Sequence, residues 1–235
     1  MNAPIPIYIS GAFIIAIAFP LYMIAALAKK YTKPNQASLL FLGILIFYIA
    51  YLVLVAIGSL NGAFSAITLP PKIIQLTTLP LLLLLMGLVF NLPYYKRLLT
   101  AIPANEMVLL HRFRFIGSFF IILWLFGQLP MVFALIAGLG DVIAALSSTW
   151  VAKQLSNHKP NAKKWALLWN TFGLLDILVT STTAILLTKA SITTGALGVD
   201  ILAVFPFCFI PAFAPATIIF LHMSIYRKLL VKKFR

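Results

Sequence analysis

Sixteen of the eighteen lysines and arginines fall on one side of seven apolar stretches, and that sorting constrains the fold more than any other feature. The stretches run over 7–28, 38–60, 73–93, 107–128, 130–152, 165–187 and 201–226. Each is near the ~20 residues that a helix needs to cross a ~30 Å hydrocarbon core. Lys29, Lys30 and Lys33 follow the first stretch, and Lys72 stands alone after the second. Lys96, Arg97, Arg112 and Arg114 return to the first side, as do Lys153, Lys159, Lys163 and Lys164. Lys189 is alone on the far side, and Arg227, Lys228, Lys232, Lys233 and Arg235 close the chain on the basic side. The predicted fold is an all-α bundle of seven transmembrane helices, one integral membrane domain over 1–235. The positive-inside rule predicts an outside N-terminus and a cytoplasmic C-terminus.

Composition agrees. With 63% hydrophobic residues, 9% charged and a mean hydropathy of +1.07, the chain lacks the polar surface of a soluble domain. A net charge of +14 would suggest nucleic acid in a soluble protein. Here the cations cluster at span ends, where orientation and attraction to anionic lipid headgroups account for them, so membrane lipids are the expected partner and nucleic acid is not. The tail from Arg227 to Arg235 fits the same role. The single cysteine, Cys208, falls inside the last predicted span and offers neither a disulfide nor a thiolate site. His111, His158 and His222 are too scattered for a zinc motif, so neither metal nor cofactor is expected. The first stretch has no basic segment ahead of it and is followed by Lys29 and Lys30, the pattern of a retained span rather than a cleaved signal peptide.

Connections around 153–164 and 188–200 are short, which puts the working parts within the membrane or at its faces. Between Pro93 and Pro103 the chain is mixed basic and apolar, a piece suited to lie along the cytoplasmic interface or to serve as a plain connector. The last span carries Pro206, Pro211 and Pro215, predicting a kinked helix in which carbonyls near Leu202 and Phe207 lose their partners. Such carbonyls can wall an ion or substrate site, although a packed kink is the commoner use of proline in membrane helices. Pro20 and Pro80 predict milder bends.

Of four acids in the chain, Asp141 and Asp176 fall near the middle of spans five and six. At ~1.5 Å per residue each is roughly 15 to 17 Å deep, close to the midplane. A charge there costs on the order of 3 kcal/mol even on lenient scales, so both are expected to face the bundle interior or a wet cavity. They sit in similar surroundings, Gly138-Leu139-Gly140-Asp141 and Gly173-Leu174-Leu175-Asp176. Ala134, Ala137, Gly138, Ala144, Ala145 and Ser148 share a face with Asp141, a stripe of small residues that admits a neighbouring backbone. The face of Asp176 carries Trp169, Gly173, Thr180 and Thr183. Span four supplies the cations: His111, Arg114 and Ser118 share one helical face, with Arg112 about 100° away from His111. Arg112 and Arg114 lie roughly 21 to 24 Å from the outer face, able to reach inward or to snorkel to the interface. With Asp141 one hairpin away, an Arg–Asp pair neutralises both charges, in a structural or a functional role. His222 is placed near the cytoplasmic end of span seven, as an interfacial residue.

The last span has no lysine for a retinal Schiff base, and too few histidines lie near a membrane face for a seven-span zinc hydrolase. The stretch Ile102-Pro103, His111-Arg112, Gly117, Gly127-Gln128-Leu129-Pro130, Phe133-Ala134 and Gly138-Leu139-Gly140-Asp141 resembles a family of uncharacterised bacterial multi-pass membrane proteins. The similarity continues through Trp169-Asn170, Gly173 and Asp176 to Pro211 and His222, over the C-terminal two-thirds. It implies a bacterial inner-membrane location and no catalytic role. From the residues themselves, the leading expectation is a small permease with a midplane carboxylate site for a cation, proton or small polar solute. Asp141 and Asp176 would form that site, biased by Arg112 or Arg114, with His111, Thr180 and the broken seventh span completing the path. The alternatives are an intramembrane enzyme acting on a lipid, with an arginine holding the headgroup phosphate, and a sensory or structural subunit whose Arg/Asp cluster only fixes packing.

Overall fold

The computed structural model describes residues 4–230, so the predicted tail cations Lys232, Lys233 and Arg235 lie outside the described residues. Among the described residues all regular structure is helical. Seven helices are long and apolar enough to cross a membrane: Ile7–Lys30, Pro34–Leu60, Ile74–Asn91, Ala104–Leu125, Met131–Ser156, Ala162–Thr194 and Phe209–Leu230. The chain is a multi-pass membrane protein. Because successive spans run in opposite directions, Lys29, Lys30, Lys96, Lys153 and Arg227 gather at one end, the basic face, while Lys72 and Lys189 lie at the other.

The most hydropathic span is the least buried, and the most buried span is among the least hydropathic, as lipid favours. The second span has the highest mean hydropathy, 2.9, and only 17% of its central window is buried; the seventh, at 1.6, is 67% buried. Apolar side chains of the second span such as Leu39, 77% exposed, therefore face outward, where hydrocarbon replaces water as solvent. The seventh span is the axis of the bundle. Around it Phe13, Phe113, Phe133, Phe207 and Phe213 form one continuous core.

The irregularity of the seventh span differs from the sequence expectation. Its helix starts at Phe209, not 201; the preceding residues form a short 3₁₀ turn, Asp200–Ala203, and a run of turns that holds Pro206 and the buried Cys208. The predicted orphan carbonyls near Leu202 and Phe207 are thus outside the helix, and the Phe207 carbonyl accepts the Ile210 N–H at 3.0 Å. Pro211 sits in the first turn, where a missing donor costs nothing. Only Pro215 is inside the helix, and it frees the carbonyl four residues earlier, that of Pro211. The Thr78 hydroxyl donates to that oxygen at 2.6 Å, and Tyr51 donates to the next carbonyl, Ala212, at 3.1 Å. The kink is satisfied by neighbouring side chains rather than open to a ligand. Pro20 lies inside the first span; Pro80 lies between two π-helical segments of the third, Ile74–Thr78 and Leu84–Leu88.

Between the third and fourth spans, Pro93–Ala101 forms a short amphipathic helix at the basic face, begun by Pro93 and ended before Pro103. Lys228 donates to the carbonyls of Leu99 and Thr100 at 3.1 and 2.6 Å, a cation on the negative end of the helix dipole. Tyr95 and Ser224 share a hydrogen bond of 2.6 Å, and burial pushes the Tyr95 phenol up to about 12. At the next helix start, Glu106 in the first turn accepts from Lys30 and Tyr31 at 2.7 and 2.6 Å. The turn into the fifth span is tight enough to need Gly127 at φ 71, a left-handed conformation cheap only for glycine.

Thr78→Val is expected to strand the Pro211 carbonyl and cost about 1–3 kcal/mol, the penalty of an unpaired buried polar group. Thermal unfolding in mild detergent reads it, with Thr78→Ser expected to retain most of the wild-type stability.

Candidate functional site

The fourth span changes helical type where the chemistry begins. After an α-helical start, residues His111–Gly117 wind as a 3₁₀ helix before α-helix resumes at Ser118. Three residues per turn bring i and i+3 into line, so His111, Arg114 and Gly117 form one inward column. All three are buried, whereas Arg112 and Phe115 are exposed. The expected α-helical face of His111, Arg114 and Ser118 is therefore replaced: Gly117 takes the inner position and Ser118 is half-buried.

Arg114, 1% exposed, is the centre of the site. Its Nε donates to Asp141 Oδ1 at 2.7 Å, its Nη2 pairs with Asp176 Oδ2, and its Nη1 donates to the Gly173 carbonyl at 3.2 Å. One guanidinium thus bridges the fifth and sixth spans. Three glycines make the approach possible. A methyl group at Gly117 would overlap Asp141, and one at Gly140 would overlap the Asp176 carboxylate. One at Gly173 would come within 2.6 Å of the His222 ring and 3.0 Å of Arg114 Nη1. Gly138 lets Ile121 and the Gly117 carbonyl close on the fifth span.

A second polar layer joins the seventh span to the centre. His222 Nε2 is 3.4 Å from Arg114 Nη1, and its Nδ1 is 2.8 Å from Asn170 Oδ1. The Asn170 amide nitrogen donates to the His222 carbonyl at 3.1 Å, which fixes Oδ1 as the acceptor. His222 therefore carries its proton on Nδ1 and turns a lone pair toward Arg114. His111 lies with its ring centre 4.2 Å from that of His222 and at right angles to Trp169 at 5.1 Å. Both His111 ring nitrogens are buried without a hydrogen-bond partner. Trp169 is anchored by its indole N–H on the Ala144 carbonyl at 3.1 Å.

Among the predicted site residues, the structure brings together Asp141, Asp176, Arg114 and His111. Arg112 is not with them: it is exposed and donates to Thr149 at 3.1 Å. Thr180, one turn from Asp176, is 8% exposed, with its hydroxyl unpartnered. Pro206 and Pro215 are absent from the walls of the two principal cavities, and Pro211 lines one of them away from Arg114. His222, expected at the interface, is fully buried. The reason is the helix register: the seventh span runs on to Leu230, so His222 is two turns inside it. In the sequence Asn170 stands out only within the Trp169-Asn170 pair of the family resemblance, with no role attached to it. Its pairing with His222 spans 52 residues and has no local signal.

These features define a seven-span membrane protein built around a buried, ion-paired centre. The chain belongs to the family described as a domain of unknown function (DUF8737), whose model matches residues 71–230. That stretch contains every residue of the centre. No curated protein matches the chain. No solved structure matches it either.

Arg114→Gln leaves two buried carboxylates without a counter-ion and is expected to cost about 3–5 kcal/mol. Adding Asp141→Asn and Asp176→Asn removes the uncompensated charge, and much of the loss should return; unfolding midpoints of the single and triple variants measure the difference. Gly140→Ala, which overlaps the Asp176 carboxylate, is expected to cost about 1–3 kcal/mol in the same assay.

Proposed function

We propose that the chain is a small permease whose Arg114–Asp141–Asp176 triad carries an exchangeable proton or monovalent cation across a cell membrane. The observation that carries this reading is the charge of the centre. One guanidinium faces two carboxylates, so with both acids ionised the triad has a charge of −1 at membrane depth. An uncompensated charge there is costly, and a single proton or small cation makes the site neutral. Gaining and losing that one charge is an event the site is built to register, because each carboxylate belongs to a different span and both depend on the same Arg114.

Transport is favoured over lipid chemistry by the arginine itself. Asp141, Asp176, Gly173 and His222 already take donors of Arg114, which a headgroup phosphate would need. The distribution of cations supports an outside N-terminus and a cytoplasmic basic face, and the family resemblance supports a bacterial inner membrane. Membrane lipids are the proposed partner of the basic face.

The test is proton and monovalent-cation flux into liposomes containing purified protein, followed with entrapped pH- and cation-sensitive dyes. The Asp141→Asn, Asp176→Asn double variant should abolish flux; because it leaves Arg114 without a counter-ion, flux is read per folded molecule and alongside the triple variant with Arg114→Gln, which removes the uncompensated charge and should also be inactive. Single variants leave a neutral one-to-one pair and should lose at least tenfold. Flux undiminished in the folded double variant defeats the proposal; lowered stability with unchanged flux per folded molecule would make the triad a packing device.

A further inference from the structure

At the face opposite the basic one, a cavity of about 600 Å³ opens between the ends of the second and sixth spans, the start of the third and the segment before the seventh. Most of its wall is apolar, with Phe64, Ile73 and Val204 among the residues that line it. Two residues of opposite charge share it: Lys72 and Asp200. Among the described residues neither is in an ion pair, although both face the same space. Hydroxyls of Ser65 and Thr188 add acceptors. A half-buried cation and an exposed carboxylate, unpaired on the rim of one largely apolar cavity, match a ligand that brings one charge of each sign and an apolar body.

The cavity and the ion-paired centre both lie along the sixth span. Thr188 and Ala184 line the cavity, and Asp176 pairs with Arg114. Thr180 lies between them, buried, with its hydroxyl unpartnered. These four residues are spaced by four and share one helical face, a track of about 18 Å from Thr188 to Asp176. An orphaned buried hydroxyl is an unusual expense in a packed helix, and this one lies between the two polar regions.

We infer that this cavity is a binding site for a small zwitterion with an apolar side chain, of the α-amino acid class: Lys72 takes the carboxylate, Asp200 the ammonium, and the apolar wall the side chain. The binding claim stands independently of the permease reading.

The experiment is isothermal titration of the purified full chain in mild detergent with leucine, methionine and phenylalanine, and with the single-charge analogues 3-methylbutylamine and 4-methylpentanoate. At least one amino acid should bind, and both analogues should bind at least tenfold more weakly. Lys72→Gln and Asp200→Asn should each weaken amino-acid binding at least tenfold, with unfolding midpoints checked alongside. The charge-swapped double variant Lys72→Asp, Asp200→Lys should bind better than either single variant. If none of the three amino acids binds, or if an analogue binds as tightly, or if the folded variants bind like wild type, the inference is overturned. The proton and cation flux of wild-type liposomes, measured without amino acid, separates the two ideas. Flux without binding removes the zwitterion site and leaves the permease, whereas binding without flux leaves the site and removes the permease.

Discussion

Everything at the centre of this protein depends on one guanidinium held where lipid surrounds the bundle. Arg114 is almost wholly buried, so its charge must be met by protein, and Asp141 and Asp176 meet it from two different helices. That requirement sets the rest of the architecture. The fifth and sixth spans must lie close enough for both carboxylates to reach one side chain, and glycine at 117, 140 and 173 makes that distance attainable. The fourth span must also turn Arg114 inward together with His111. A 3₁₀ segment aligns the two, three residues apart, where an α-helix would set them off by a sixth of a turn.

The polar layer on the seventh span solves a related problem. A buried histidine needs both nitrogens accounted for, and His222 is held by Asn170 on one side and Arg114 on the other. Its orientation thereby becomes part of the ion-paired centre. His111 shows the contrast: equally buried, against the same His222 ring, it has no partner for either nitrogen. Of the two imidazoles, His222 is built into the network and His111 stands beside it unsatisfied.

Much of the fold was legible because lipid imposes strong rules. Apolar length gave seven spans, and the sorting of Lys and Arg gave their alternation. Asp141 and Asp176 drew attention because a carboxylate at that depth is costly wherever it occurs. What escaped was set by backbone detail or by distant contact. Arg112 and Arg114 are alike in composition and nearly so in depth, and two residues apart they point to opposite sides under either winding; which side faces the bundle is set by packing against the fifth and sixth spans. Pro206 and Pro211 looked like helix breakers inside a span, yet the helix begins after the first and holds the second in its opening turn, so one proline kinks it instead of three. The partner of that kink, Thr78, is on another span and 133 residues away, beyond any local pattern.

The arrangement along the sixth span gives these features a common direction. Asp176 pairs with Arg114 from a helix whose later buried positions include Thr180, Ala184 and Thr188. That face runs from the ion-paired centre to the cavity at the non-basic end, and the hydroxyl between them lacks a partner. If the triad served only to clamp three helices, the least expensive residue beside Asp176 would be apolar, since a buried threonine without a hydrogen bond weakens the very packing the clamp is meant to secure. On the proposed reading, in which the charge on Asp176 changes, a hydroxyl one turn away has a place that a pure clamp would not give it.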